Sequence, residues 1–232
     1  MGDRILQVNS ISKGFHCGQK NYPLLTQLNL TVTKSERVLL MGRSGSGKTT
    51  LIQILGTLQA PDSGEILIID QSINQMSEAA LNHFRSKQLG FMFQQHHFIT
   101  GLSVIENVVL PLQLQVKHQR HDSYQKALEL LQLLDIQKPL HQKIPSQLSM
   151  GEQARVSIAR ALIHGPKLLL MDEPSASLDD QLTQEVFGYI ATLQKQLGFA
   201  MIVATHDDSL KRYADTVYNL KNGYLEKMDV RA

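Results

Sequence analysis

Apolar and polar residues alternate over residues 4–9 (Arg-Ile-Leu-Gln-Val-Asn) and 26–33 (Thr-Gln-Leu-Asn-Leu-Thr-Val-Thr), the period of strands buried on one face. Residues 37–41 (Arg-Val-Leu-Leu-Met) form a nearly unbroken apolar run, which predicts a strand covered on both faces. Similar runs occur at Phe91-Met92-Phe93, at Leu168 to Met171 and at Ala200 to Ala204. Helical periods lie between them. In 121–134, Tyr124, Ala127, Leu128, Leu131 and Leu134 recur at three- and four-residue spacing, giving one apolar face. The interval from about 95 to 150 reads as almost wholly helical and polar-faced, inserted between two core strands. Strands separated by helices imply an α/β protein with a mainly parallel sheet, to which the two early alternating strands add an antiparallel part.

Composition narrows the class. A chain of 232 residues with 42% hydrophobic positions can bury a sizeable core as one compact unit. Seven prolines and fifteen glycines exclude collagen-like and low-complexity readings. The formal charge of +2 argues against bulk nucleic acid as the main partner. The single cysteine, Cys17, cannot close an internal disulfide, which fits a reducing compartment. No apolar run approaches the roughly 18 residues of a membrane helix, and Met1 leads into strand-like alternation rather than a signal peptide. A cytosolic chain is expected.

Residues 42–49 read Gly-Arg-Ser-Gly-Ser-Gly-Lys-Thr, matching G-x-x-x-x-G-K-[ST]. A buried strand precedes the match and a helix-like segment, Lys48 to Leu58, follows it. Gly42, Gly45 and Gly47 let the backbone turn tightly, so that the N–H groups of Arg43, Ser44, Ser46 and their neighbours converge on phosphate oxygens at a helix N-terminus. Lys48 is expected on the β- and γ-phosphates and the Thr49 hydroxyl on Mg²⁺, with Thr50 donating a further hydrogen bond. Much later, the apolar run Leu168 to Met171 ends in Asp172-Glu173. Ligands of open α/β sheets collect at the carboxyl ends of strands. Asp172 is therefore placed to hold Mg²⁺ through water, and Glu173 to polarise a water against the γ-phosphate.

A phosphate loop alone does not give function. Three further features do. Leu148-Ser149-Met150-Gly151-Glu152-Gln153 opens a helix whose apolar positions Val156, Ile158, Ala159 and Leu162 run on to Ile163. Phe93-Gln94 ends a strand, and Thr205-His206-Asp207 ends another. In order and spacing these motifs resemble the ATP-binding-cassette (ABC) ATPases over practically the whole chain. No Asn-Lys-x-Asp motif for reading guanine occurs.

That resemblance implies a P-loop NTPase (RecA-like) core with an N-terminal antiparallel β-subdomain and an inserted α-helical signature subdomain. The corresponding boundaries are one cassette over 1–232, with 1–94 and 155–232 as β-subdomain plus core and 95–154 as the helical insertion. It further implies a head-to-tail pair of cassettes, expected as a homodimer, each ATP lying between one phosphate loop and the opposite signature helix. On that pattern Ser149 and the Gly151 N–H bind the γ-phosphate of the partner's ATP, and Gln94 senses Mg²⁺ and the attacking water. Glu173 is the general base, His206 holds the γ-phosphate and positions Glu173, and residues 176–179 cross the dimer seam. Phe15 falls where the family places an aromatic ring on adenine, with Tyr22 as the competitor. Met150 departs from the family's glycine; it is sterically allowed if its φ is negative, as in the first turn of a helix.

The stretch Gly90 to Gln95 with Val104 to Leu112 is similar to the lipoprotein-releasing (LolD-like) and macrolide-export (MacB-like) cassettes. The implied activity is ATP hydrolysis that drives a separate transmembrane permease, docked near residues 94–115, from the cytoplasmic face of the inner membrane. His96-His97 reads as loop surface, since adjacent side chains diverge and no acidic or Cys partner is spaced near them. Asp207-Asp208 reads as a helix cap. The Lys-Gln-Arg stretch at 117–120 lacks aromatics, and no nucleic acid is expected to bind it.

Overall fold

The computed structural model describes residues 3–17, 20–115 and 120–228. The stretch at 117–120 therefore lies outside the described residues, save for the backbone of Arg120. The elements run β1 (Arg4–Cys17), β2 (Lys20–Thr33), β3 (Arg37–Met41), α1 (Lys48–Leu55), β4 (Ser63–Ile68), β5 (Gln71–Ser72), α2 (Glu78–Gln88) and β6 (Leu89–Phe93). Then follow α3 (Val104–Gln113), α4 (Arg120–Leu133), α5 (Met150–Leu162), β7 (Leu168–Asp172), α6 (Asp180–Leu197), β8 (Ala200–Thr205), β9 (Thr216–Lys221) and β10 (Tyr224–Met228).

Two sheets result. Four antiparallel strands stand in the order β2-β1-β4-β5, and six in the order β10-β9-β3-β8-β7-β6. In the second sheet β3, β6, β7, β8 and β9 are parallel and only β10 runs against its neighbour. The runs read as buried strands occupy it. β7 and β8 are buried at every position, whereas β6 is an edge strand with Phe91 and Phe93 half-buried.

Alternate residues of the six-stranded sheet feed two cores. Val38, Leu40, Leu168, Leu170 and Ile202 face α1 and the antiparallel sheet. Leu39, Met41, Leu169, Met171 and Val203 face α5 and α6 and are continuous with the apolar residues of α3 and α4. The period-two pleat of strands buried on both faces produces this division.

Three readings need correction. The helix after the phosphate loop stops at Leu55 rather than Leu58: Gly56 caps it and Thr57 turns away at φ 59°. The interval 95–150 is not almost wholly helical. Irregular backbone fills much of it, with short 3-10 turns at Lys138–Leu140 and Pro145–Gln147, each entered through a proline that cannot continue a hydrogen-bonded ladder. Nor is it polar-faced throughout: Val104, Ile105, Val108, Val109 and Leu112 of α3 are buried, whereas α4 does expose polar residues such as Gln125, Glu129 and Gln132. The side chain of buried Asn107 secures the preceding loop, accepting from Ile99 N–H and donating to the carbonyls of Ile99, Leu102 and Ser103.

Candidate functional site

Strand register brings the predicted residues to one edge. Met41 lies opposite Thr205, Asp172 opposite Ala204 and Phe93 opposite Asp172. The carboxyl ends of β3, β8, β7 and β6 thus level, and the residues that follow them converge there: the 42–47 loop, His206, Glu173 and Gln94.

The loop runs directly from β3 into α1. Gly47, the N-cap of α1, has φ 103°, and a Cβ there would stand 2.9 Å from Leu25 Cδ2, so only glycine fits without strain. Beyond it the first N–H groups of α1 have no partner within the helix, which is the basis of anion binding at helix starts. Lys48 is only 6% exposed. Its Nζ donates to the carbonyls of Gly42 at 2.9 Å and Arg43 at 3.3 Å, and lies 3.3 Å from Glu173 Oε1.

Thr49 Oγ1 donates to Asp172 Oδ1 at 3.2 Å, joining the start of α1 to the end of β7. Burial pushes the Asp172 carboxyl above its usual range; the Thr49 hydroxyl opposes that shift, and the neighbouring Glu173 charge adds to it. This hydroxyl–carboxylate pair supplies only hard oxygen donors, the chemistry that suits Mg²⁺.

Glu173 leaves the strand at φ 47°, while its N–H still donates to Ala204 O at 2.8 Å. The left-handed turn re-aims the side chain. One carboxylate oxygen meets Lys48 Nζ, and the other lies 2.9 Å from His206 Nδ1. His206 is exposed, and Thr205 Oγ1 accepts from Asp207 N–H at 3.0 Å to fix the turn after it. An open cleft of about 820 Å³ stands over the loop, lined by residues 42–46, Leu24, His206, Lys211 and the β9–β10 turn. The β9–β10 side of this cleft was not legible in the sequence, because its residues carry no motif. Within that loop the Ser46 Oγ is buried and without a hydrogen-bond partner.

The remaining candidates make no hydrogen bond or ion pair to these groups among the described residues. Phe15 and Tyr22 are exposed cross-strand neighbours on β1 and β2. Thr50 is half-buried and Gln94 exposed. Ser149 is the N-cap of α5. Its Oγ and N–H both donate to Glu152 Oε2, at 2.9 and 2.8 Å, and its Oγ accepts from Glu152 N–H at 3.3 Å. These contacts, the Ser149 N–H first, hold the Glu152 carboxyl below its usual range. The S-x-x-E spacing was a legible capping box. Among the described residues, no hydrogen bond or ion pair joins Ser149 or Gly151 to residues 42–49. Gly151 is buried against Leu182 of α6 instead. Met150 begins α5 with a non-positive φ and is 52% exposed, the conformation in which a side chain is allowed.

Two smaller readings also meet the structure. Asp207 caps a 3-10 turn, Asp208–Tyr213, accepting from Ser209 N–H at 2.8 Å. His96 is half-buried rather than loop surface, with Nδ1 out of reach of solvent, because Arg160 and Phe98 pack against its segment.

The family model described as ABC transporter matches residues 25–176, which contain both the phosphate loop and the Asp172-Glu173 pair. The chain belongs to the ABC transporter family. This cassette is 41% identical over 226 residues to the lipoprotein-releasing system ATP-binding protein LolD of Shewanella denitrificans, covering 97% of the chain and 96% of that protein. It is 39% identical over 222 residues to LolD of Psychrobacter arcticus, covering 96% and 98%. It also superposes on a dimeric post-hydrolysis structure of the ATP-binding cassette MJ0796 bound to ADP and Pi, with a TM-score of 0.88, 31% identity and coverage of 98% and 99%. The cassette fold seen there agrees with the P-loop core and antiparallel sheet described above. No helix among the described residues is long and apolar enough to cross a membrane.

Proposed function

We propose that this cassette is the ATP-hydrolysing subunit of a lipoprotein-releasing transporter, working as a homodimer on the cytoplasmic face of the inner membrane. One observation carries the catalytic part: Glu173 is held between Lys48 and His206, one residue beyond the Asp172–Thr49 pair. Similarity to the LolD proteins over nearly the full chain supports the lipoprotein-releasing branch.

The residues have separable tasks. Backbone N–H groups of 42–47 and the Lys48 ammonium bind the β- and γ-phosphates of ATP; Thr50 adds a hydroxyl. Thr49, Asp172 and Gln94 would hold Mg²⁺, whose charge, when bound, offsets charge on the phosphates. Glu173 accepts the proton of the attacking water, an effect typically worth ~10²–10⁴-fold in rate, and His206 fixes the carboxylate that does so. Phe15 stacks on adenine.

Ser149 and the Gly151 N–H serve the partner's ATP. Among the described residues neither makes a hydrogen bond or ion pair to the phosphate loop, and a second copy supplies what is missing. ATP bridging two copies favours the closed pair, and loss of the γ-phosphate contact on hydrolysis favours opening. The insertion 95–154 passes that motion to a permease docked near 94–115.

The test is isolation of the chain from detergent-solubilised membranes, followed by ATPase measurement and identification of what accompanies it. Recovery of an integral membrane protein with Mg²⁺-dependent hydrolysis is expected. A wholly soluble chain carrying RNA or DNA would overturn the transporter reading.

A further inference from the structure

Arg160 lies in the last turn of α5, whose first turn carries Ser149 to Gly151. It does not point to solvent. Its Nη1 donates to His97 O at 2.9 Å and its Nη2 donates to His96 O, while the guanidinium carbon sits 4.9 Å from the centroid of the Phe98 ring. One side chain thus grips three consecutive residues that begin two positions after Gln94.

The gripped segment is locked on its other side. His97, in a left-handed conformation with φ 48°, sets its ring edge-on to Phe93 at 5.8 Å, and Phe93 stacks on Phe91 at 5.6 Å. His96 lies 5.5 Å from Phe98. Gln94 is therefore suspended between a strand end and a loop, both held by ring contacts, and the loop is fastened to α5 by Arg160. The base of α5 is equally close to β6. A Cβ on Gly90 would stand 2.6 Å from Ala161 O, and His164 Nε2 lies 3.0 Å from Leu89 O.

We propose that Arg160 is a positioning residue that couples the Gln94 loop to the signature helix, so that a displacement of residues 94–98 is transmitted along α5 to Ser149. The helix is a stiff element of 13 residues, about 20 Å long at 1.5 Å per residue. A planar fork donating to two successive carbonyls fixes both distance and orientation, which a lysine cannot do. A guanidinium that merely satisfied exposed carbonyls would need neither the ring beneath it nor adjacency to Gln94. The proposal rests on the roles given above to Gln94 and Ser149.

The experiment is a double-mutant cycle on the purified full-length chain, with kcat and KM for ATP measured for wild type, Arg160→Met, Gln94→Ala and the double variant. Arg160→Lys is added as the conservative change. Misplacing a reacting group by about 1 Å costs up to ~10²-fold, so Arg160→Met is expected to lower kcat roughly ten- to hundredfold with KM nearly unchanged. Arg160→Lys should recover part of that loss. The decisive readout is coupling: the double variant should be no slower than Gln94→Ala alone, because Arg160 acts through that loop.

Multiplicative losses, or an Arg160→Met kcat equal to wild type, overturn the coupling while leaving the ATPase reading intact. A wild type without ATPase activity, or one indifferent to Gln94→Ala, overturns both. Should Arg160→Met not fold, Phe98→Leu removes only the stacking partner and enters the same cycle with the same expected coupling.

Discussion

Replacing Gly151 with alanine sets two effects of opposite sign against each other. In the first turn of α5, alanine favours the helix over glycine by up to about 1 kcal/mol. The new Cβ would stand 2.5 Å from Leu182 Cδ1, 3.1 Å from Cδ2 and 3.2 Å from Cγ, so the whole isobutyl group must shift rather than one methyl. Overpacking of this kind costs about 1–3 kcal/mol. Leu182 is half-buried and lies in the first turn of α6, where its N–H donates to the cap Asp179 at 2.8 Å, which limits its retreat. The expected net effect is a loss of about 1 kcal/mol, or ~2–4 °C in Tm for a domain of this size. In a Leu182→Ala background the obstruction is gone, and the same Gly151→Ala change should stabilise by up to ~1 kcal/mol. Urea unfolding of the four variants measures this sign reversal, with a coupling of about 2 kcal/mol. If Gly151→Ala stabilises both backgrounds, the contact does not limit the position, and the glycine answers to something other than packing.

Four other outcomes are expected. Met150→Gly should change ATP turnover less than Glu173→Gln does, because Met150 already has an allowed helical φ and an exposed side chain; comparable losses in steady-state assays would show that the position matters chemically. Asp172→Asn should raise the Tm of the nucleotide-free protein at neutral pH. The folded state raises this carboxyl, so the native state holds its proton more tightly than the unfolded chain does, and ionised Asp172 costs stability above the raised value. That cost is released as pH falls through the raised value toward the ordinary carboxylate range, so the advantage of the asparagine variant should shrink on acidification; a constant difference would contradict the sign. Asp215→Asn removes the opposite case. Arg37, donating through its side chain and backbone N–H, holds Asp215 below the usual range, so its stabilisation is present near neutral pH and is lost in acid as pH falls through the lowered value. Partial exposure limits the loss to about 1 kcal/mol or less, measured as a Tm difference that vanishes below that range. Finally, Phe15→Ala should weaken ATP binding more than Tyr22→Ala in equilibrium titrations; the reverse would exchange their roles.

Much of the site was legible because it is local. The 42–49 loop and the 172–173 pair each lie within one motif, and the strands before them are buried on both faces, which leaves an unbroken apolar run. Elements without that signature were missed. Helix α2 buries only Phe84, so no apolar stripe marks it, and β9 and β10 carry mixed patterns at one end of the sheet. The glutamines near α3 suggested a polar face, whereas its buried positions are apolar except for Asn107. The alternation at 4–9 and 26–33 reveals only parts of two 14-residue strands, because bulges shift the register between Val8 and Lys13. Contacts between distant segments left no local trace at all. The grip of Arg160 spans more than 60 positions, and Gly151 looks like a ligand-binding glycine until Leu182 is seen against it.

On the function proposed above, Glu173 serves a hydrolytic site completed by a second copy of the chain. The most direct measurement is the steady-state ATPase rate as a function of protein concentration, for wild type and for Glu173→Gln. The wild-type rate should rise more steeply than first order across the association range. The Glu173→Gln rate should be at least ~10²-fold lower, with ATP binding retained. A wild-type rate linear in protein, together with full turnover in Glu173→Gln, would contradict that function.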